Sequence, residues 1–306
     1  MEDKIKDLKY DKEMLESLGV VPFTLKKDSL NEDEDIYSWT TIGRHYPEEI
    51  REHKKIINYV FGNLKKVGLD EMIAPDQPVG GEACHELTYE EILNDYKTAI
   101  AHDDGTQWLV PKNYDSIFLT RATHFSVMED MGRNISLTFP AADCAIVRMY
   151  DKEKDAIGIT HSDLEHTSKN VIGSMVKYME EHFGSKPENI MVFVGAFAKE
   201  GMIWDKVPPC QEKNPEAWEG YIDKIDDSHY EILYGKKIYD QLKESGLIHN
   251  NIYFDKDNTI TDNSYYSHNR FKRLGDKEGR NLFGITFDGL DMYENVEKGK
   301  TKTRLK

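Results

Sequence analysis

Three apolar runs, at 135–139, 145–150 and 156–160, have the length and the β-branched and aromatic content of strands, and the polar turn DKEKD joins the last two. The corner residues Asp143 and Cys144 stand where the first pair of runs breaks, and His161 stands just beyond the third. From there the period lengthens. Leu164, Val171, Ile172, Met175, Val176, Met179 and Phe183 form one helical stripe, which Gly184 ends. Ser162 and Glu165 have the S-x-x-E spacing of a capping box, which predicts that this helix starts at Ser162. If the strands pair side by side, Cys144 and His161 meet at one rim of a sheet. A thiol and an imidazole placed so suit metal ligation or nucleophilic catalysis.

The same pattern organises the rest of the chain. Helical spacing predicts helices over 4–18, 47–68, 89–101 and 230–245, with Pro47 in a first turn and Gly68 and Gly246 as stops. Further strands are predicted at 107–110, 116–120, 190–197, 252–254 and 281–287, and the run at 190–197 is apolar enough to be buried on both faces. Residues 121–132 read as an excursion, and 199–227, rich in Pro and Trp in a polar setting, as an irregular loop. Several connections are too short for helical crossovers, so the sheets are mixed. With no repeat and no clear linker, the chain reads as a charged N-terminal extension (1–35), a single α/β domain (36–294) and a frayed basic tail (295–306).

Composition narrows the partners. At 306 residues, 39% hydrophobic and with 17 Tyr and 12 Phe, the chain can bury a substantial core. A net charge of −16 opposes nucleic acid and anionic membranes and leaves a small-molecule substrate as the natural partner. The start has no apolar signal segment, and three widely spaced cysteines do not make a disulfide framework, so the expectation is a cytoplasmic protein with reduced thiols.

The segment AADCAIVRMYDKEKDAIGITHSDLEHTSKNVIG resembles the ADC…HAGWRG core of the laccase-domain family, once called multicopper polyphenol oxidases and now regarded as purine nucleoside enzymes. DNSYYSHNRFKRLGDKEGRNLFGITF resembles that family's closing FYSYRRD…TGR signature, and the helix at 47–69 resembles the one before its QVHG motif. The resemblance implies a four-layer α/β/β/α sandwich with mixed sheets. It also implies a zinc site with Cys144 and His161 as ligands, Arg270 and Arg280 as phosphate- or ribose-binding residues, and phosphorolysis of purine nucleosides with adenosine deamination as a second activity. The pattern is not complete. The HAGWRG arginine falls on Glu165 and the QVHG histidine on Val79, which leaves His85, with His102 behind it, as the candidate third ligand.

Two other readings stand beside this one. Cys144 could be the nucleophile of a hydrolase or deamidase, with His161 as base and Asp143 or Asp163 as orienter. The chain could also be a non-catalytic relative that binds a nucleoside-like ligand or a protein. A phenol-oxidising multicopper site needs about ten ligands, mostly histidine. The eleven histidines here are scattered and lack paired H-x-H spacing, which sets that chemistry last.

Overall fold

Two mixed sheets take up the apolar runs. The computed structural model describes residues 6–7, 21–25, 71–73, 84–86, 100–101, 107–109, 117–121, 135–277 and 279–286. In chain order the strands are β1 (Lys6–Asp7), β2 (Val21–Leu25), β3 (Glu71–Ile73), β4 (Cys84–Glu86), β5 (Ile100–Ala101), β6 (Gln107–Leu109), β7 (Ile117–Arg121), β8 (Ile135–Ala141), β9 (Ala145–Asp151), β10 (Ala156–Ser162), β11 (Ile190–Val194), β12 (Met202–Trp204), β13 (Ile222–Lys224), β14 (Tyr230–Ile232), β15 (Ile252–Phe254) and β16 (Asn281–Thr286). The helices are α1 (Leu164–Ser168), α2 (Val171–Phe183), α3 (Pro209–Lys213), α4 (Tyr234–Glu244) and α5 (His268–Leu274). A seven-stranded sheet has the order β1-β15-β11-β9-β10-β7-β4, a six-stranded sheet the order β2-β16-β8-β3-β6-β5, and β12-β14-β13 form a small third sheet.

Alternation along β9 decides which groups face which layer. Ala145, Val147 and Met149 join the stripe of α2, where Val171, Ile172, Met175, Val176 and Met179 are all buried. Burying each such Val, Ile or Met contributes about 1.5–3 kcal/mol. Ile146, Arg148 and Tyr150 therefore point to the opposite face, and the register gives them His161, Ile159 and Ile157 as partners on β10. That face meets the six-stranded sheet: the Phe139 ring of β8 stacks on His161 with centroids 6.1 Å apart, and Arg148 donates to Gly284 O on β16 at 3.3 Å. Gly195, next after β11, is needed for this approach, because a Cβ there would come within 2.5 Å of Phe283 Cδ1.

The architecture is mixed α/β in one domain, and the described residues supply a helical layer (α2 and α4) and the two sheets. The helix expected over 47–68 lies outside them, as does the excursion expected at 121–132 apart from Arg121, which ends β7. Several expectations change. Residues 4–18 do not form one helix, because Lys6–Asp7 pairs in parallel with β15, and Val21–Leu25 pairs with β16, so the N-terminal stretch edges both sheets. Ile100–Ala101 is a strand paired with β6 rather than a helix end. The region 230–245 divides into β14 and α4, and 199–227 holds β12, α3 and β13. Ser162 is the last residue of β10, so the cap of α1 is Asp163, whose carboxylate accepts the His166 N–H at 2.8 Å. The single helix expected after His161 is two, broken where Asn170 turns left-handed (φ 55°) and caps Gly173 N.

Candidate functional site

The site begins at a corner. Between β8 and β9 the chain turns through Asp143 at φ 80°, a left-handed conformation that Asp tolerates better than most residues. Its buried carboxylate accepts from Thr259 Oγ1 (2.6 Å), Ser267 Oγ (3.0 Å) and the Asn269 backbone N–H (2.6 Å). Both carboxylate oxygens are thus engaged in fastening the corner to the segment leading into α5. Asp143 holds Cys144 in place.

Cys144 is half-buried, one residue outside the final register pair, Ala145↔Ser162. His161 lies one step inside that pair on β10, with 7% of its surface exposed, and its Nε2 has no hydrogen-bond partner among the described residues. Burial lowers the His161 imidazole to about 4, against the opposing charge of Asp163, so the ring is neutral at pH 7. Burial pushes the Cys144 thiol well up, and Asp163 and Asp143 push it further, against the pull of Arg280. Left to themselves, the thiol and the imidazole are both neutral.

The two arginines part company. Arg270 is buried, and each of its three guanidinium nitrogens donates within the protein: Nε to Asp276 (2.9 Å), Nη1 to the carbonyls of Thr259, Ile260 and Asp262, and Nη2 to Tyr265 O. Its guanidinium knits the loop that Asp143 also holds. Arg280, beside β16 and also buried, donates from Nη1 to Gly279 O (2.8 Å), and its charge reaches both Cys144 and His161.

Three further groups near the corner were not singled out from sequence. His166 is buried with its ring 6.2 Å from that of His161. Its Nδ1 lies 2.9 Å from Asp163 Oδ1, an ion-pair distance without hydrogen-bond alignment. The Asp163–His166 spacing, a capping residue and its third successor, was the available signal. Arg148 is wholly buried between the sheets, and desolvation lowers it to about 10. The Tyr234 hydroxyl reaches the end of β9 and β10 from α4, a contact across 72 residues that leaves no local trace.

Burial alone would raise the Asp163 carboxyl, but the His166 side chain, the charges of His161 and His166 and the cap to His166 N–H bring it down to about 2. Because this folded value is depressed, the stabilisation is complete above the ordinary value of 3.8 and is lost as pH falls through about 2. Asp163→Asn should flatten that acid limb in a urea-midpoint-against-pH series run with chelator. A limb of unchanged slope would place the acid sensitivity elsewhere.

Zinc suits the donors in kind. A buried imidazole nitrogen lacking a partner among the described residues, and a thiol one residue beyond the last pair of the adjoining strand, are donor types that zinc takes. Among the described residues no three Cys, His, Asp or Glu side chains are grouped so as to hold a metal, so a third donor must come from elsewhere. His85 stands on β4, where His85 pairs with Phe118, which pairs with Ile159. That puts its Cα two strands across and two residues along from His161, roughly 12 Å by sheet spacing. His102 lies outside the described residues. Among those residues no helix is long and apolar enough to cross a membrane.

A family model described as "Multi-copper polyphenol oxidoreductase laccase" matches residues 127–288, over half of the chain. The chain belongs to this family. The match contains the whole corner, from β8 through β16, including Cys144, His161 and Arg280. Solved structures agree on the fold. The Bacillus licheniformis hypothetical protein YfiH superposes with a TM-score of 0.61 at 16% identity, covering 87% of this chain and 92% of that one. YlmD from Geobacillus stearothermophilus gives 0.62 at 15% identity, with 88% and 92% covered. A Neisseria meningitidis protein gives 0.52 at 14% identity, with 85% and 90% covered. Comparison with the curated proteins found no match.

Proposed function

We propose that this member of the laccase-domain family is a zinc-dependent purine nucleoside phosphorylase. It would convert adenosine, inosine, guanosine or methylthioadenosine to free base and pentose 1-phosphate, with adenosine deamination as a second activity of the same site. The observation that carries this reading is at the rim of the seven-stranded sheet: Cys144 stands one residue outside the Ala145↔Ser162 pair, and His161 one step inside it has a buried Nε2 that nothing described in the protein satisfies.

Cys144 and His161 would hold the ion, with His85 as the candidate third ligand. When bound, zinc supplies Lewis-acid polarisation of an oxygen. Burial keeps the His161 ring neutral and so able to ligate. Phe139 stacked on that ring limits its rotation and shields it from water. Arg280 places a cation beside both ligands, where it can orient phosphate or a ribose oxygen. Asp143 and Arg270 act indirectly, by keeping the corner and the loop 259–276 in place. The alternative of a metal-free cysteine nucleophile is weaker, because both readings need a thiolate in an environment that favours the thiol, and only a bound cation would supply the charge that offsets this.

Metal analysis coupled to a product screen tests the reading. The protein should carry about one zinc per chain and form pentose 1-phosphate only when phosphate is present. Arg280→Gln should raise the KM for phosphate by about tenfold, the loss of one charge-assisted contact, with zinc content unchanged. Folded, zinc-loaded protein that turns over no purine nucleoside would overturn the proposal. So would metal-free protein that is alkylated quickly at Cys144 near neutral pH.

A further inference from the structure

The strands that carry Cys144 and His161 end on a tyrosine. Ala145↔Ser162 is the outermost pair of β9 and β10, with Cys144 the next residue outward on one strand and Asp163 on the other. The Tyr234 hydroxyl accepts the Ala145 backbone N–H at 3.2 Å and donates to the Ser162 carbonyl. Both hydrogen-bonding functions of one hydroxyl therefore act on the backbone of the two residues that adjoin the site.

Tyr234 is itself well fixed. Its ring is fully buried and meets Phe197 edge-on, with centroids 5.3 Å apart at 88°. It is the first residue of α4, and Gln241 of the same helix donates to Thr167 O at 2.7 Å, so α4 grips α1 as well as the strand ends. Across the rim the Ser162 and Thr167 hydroxyls are 2.8 Å apart, which ties α1 to β10.

A side chain held this firmly behaves as a spacer. We propose that Tyr234 is a positioning residue that sets the separation of the two strand ends, and with it the distance between the donor atoms of Cys144 and His161. The inference rests on the zinc reading above. Without the hydroxyl, the Ala145 amide and the Ser162 carbonyl must close on each other or admit water. Direct closure would move the strand ends on the order of 1 Å, and a water would bridge them without the fixed ring that holds the phenol oxygen, whereas a metal site tolerates about 0.2 Å in its ligand distances. The phenol thus plays the part that outer hydrogen-bond partners play around metal ligands, whose loss lowers affinity about 10- to 100-fold.

Tyr234→Phe removes the hydroxyl and keeps the ring, while Phe197→Leu disturbs the ring packing and keeps the hydroxyl. Three measurements on the full chain separate positioning from general stability: zinc affinity by chelator competition, the thermal midpoint, and the rate of N-ethylmaleimide labelling at Cys144 in zinc-free protein, located by peptide mapping. Tyr234→Phe should weaken zinc about 10- to 100-fold and change the labelling rate several-fold. Phe197→Leu should lower the midpoint while leaving zinc affinity within about twofold. Unchanged zinc affinity and unchanged labelling in Tyr234→Phe would overturn the inference, whatever its midpoint. Wild-type protein that takes no zinc would remove the zinc reading alone, because the labelling rates still decide whether the hydroxyl positions the thiol.

Discussion

On the proposed zinc phosphorylase reading, replacing Cys144 with alanine should reduce bound zinc from about one ion per chain to near none and lower purine nucleoside turnover by roughly a hundredfold or more, since a Lewis acid lowers such barriers by several kcal/mol. The fold should survive. Cys144 is half-buried at a corner whose geometry is held by its neighbour Asp143, so losing one sulfur removes little packing. Zinc-free wild type and variant should therefore melt within a few degrees of each other, which corresponds to about 1 kcal/mol or less. Metal content by elemental analysis and turnover with and without phosphate report the two effects separately. If both remained intact in Cys144→Ala, the site assignment as a whole would fail.

Asp143→Ala should be the most destabilising single change at the corner. It strands the Thr259 and Ser267 hydroxyls and the Asn269 N–H, and it puts alanine at φ 80°. Unsatisfied buried donors cost about 1–3 kcal/mol each before relaxation, so a net loss of about 3–5 kcal/mol is expected in urea unfolding. Asn accepts at one oxygen and adopts left-handed φ readily, so Asp143→Asn should lose only about 1–2 kcal/mol. This contrast tests the role assigned to Asp143. If the alanine variant kept its stability and lost only turnover, Asp143 would belong to the chemistry and not to the scaffold.

The elements on either side of the corner were legible because their signals are local. β9 and β10 are short apolar runs joined by a polar turn, and run length with β-branched and aromatic content needs no partner to be recognised. The break between α1 and α2 was missed although Asn170 before an apolar run is a capping signal, because the stripe from Leu164 to Phe183 also reads as one helix. The Ser162–Glu165 spacing by itself predicts Ser162 as the cap. β10 continues through Ser162, and Asp163 takes the cap through His166 N–H, so sheet pairing outranked local capping.

Arg270 and Arg280 show where local reading ends. They lie ten residues apart, are the same residue type, and match the same motif. One is enclosed by the loop 259–265 and Asp276, while the other brings its charge to the thiol and the imidazole.

Residue order was enough to set the strands around Cys144 and His161, the acidic charge balance and the motif that places the chain in its family. Folding decided the rest: Asp143 and Arg270 fasten the loop 259–276, the charge of Arg280 reaches Cys144 and His161, and Tyr234 bridges the strand ends. The reason is physical. Alternation and helical stripes are properties of neighbouring residues, but a buried carboxylate, guanidinium or hydroxyl takes its role from its hydrogen-bond partners. For Asp143 and Tyr234 those partners lie 72 to 126 residues away in sequence.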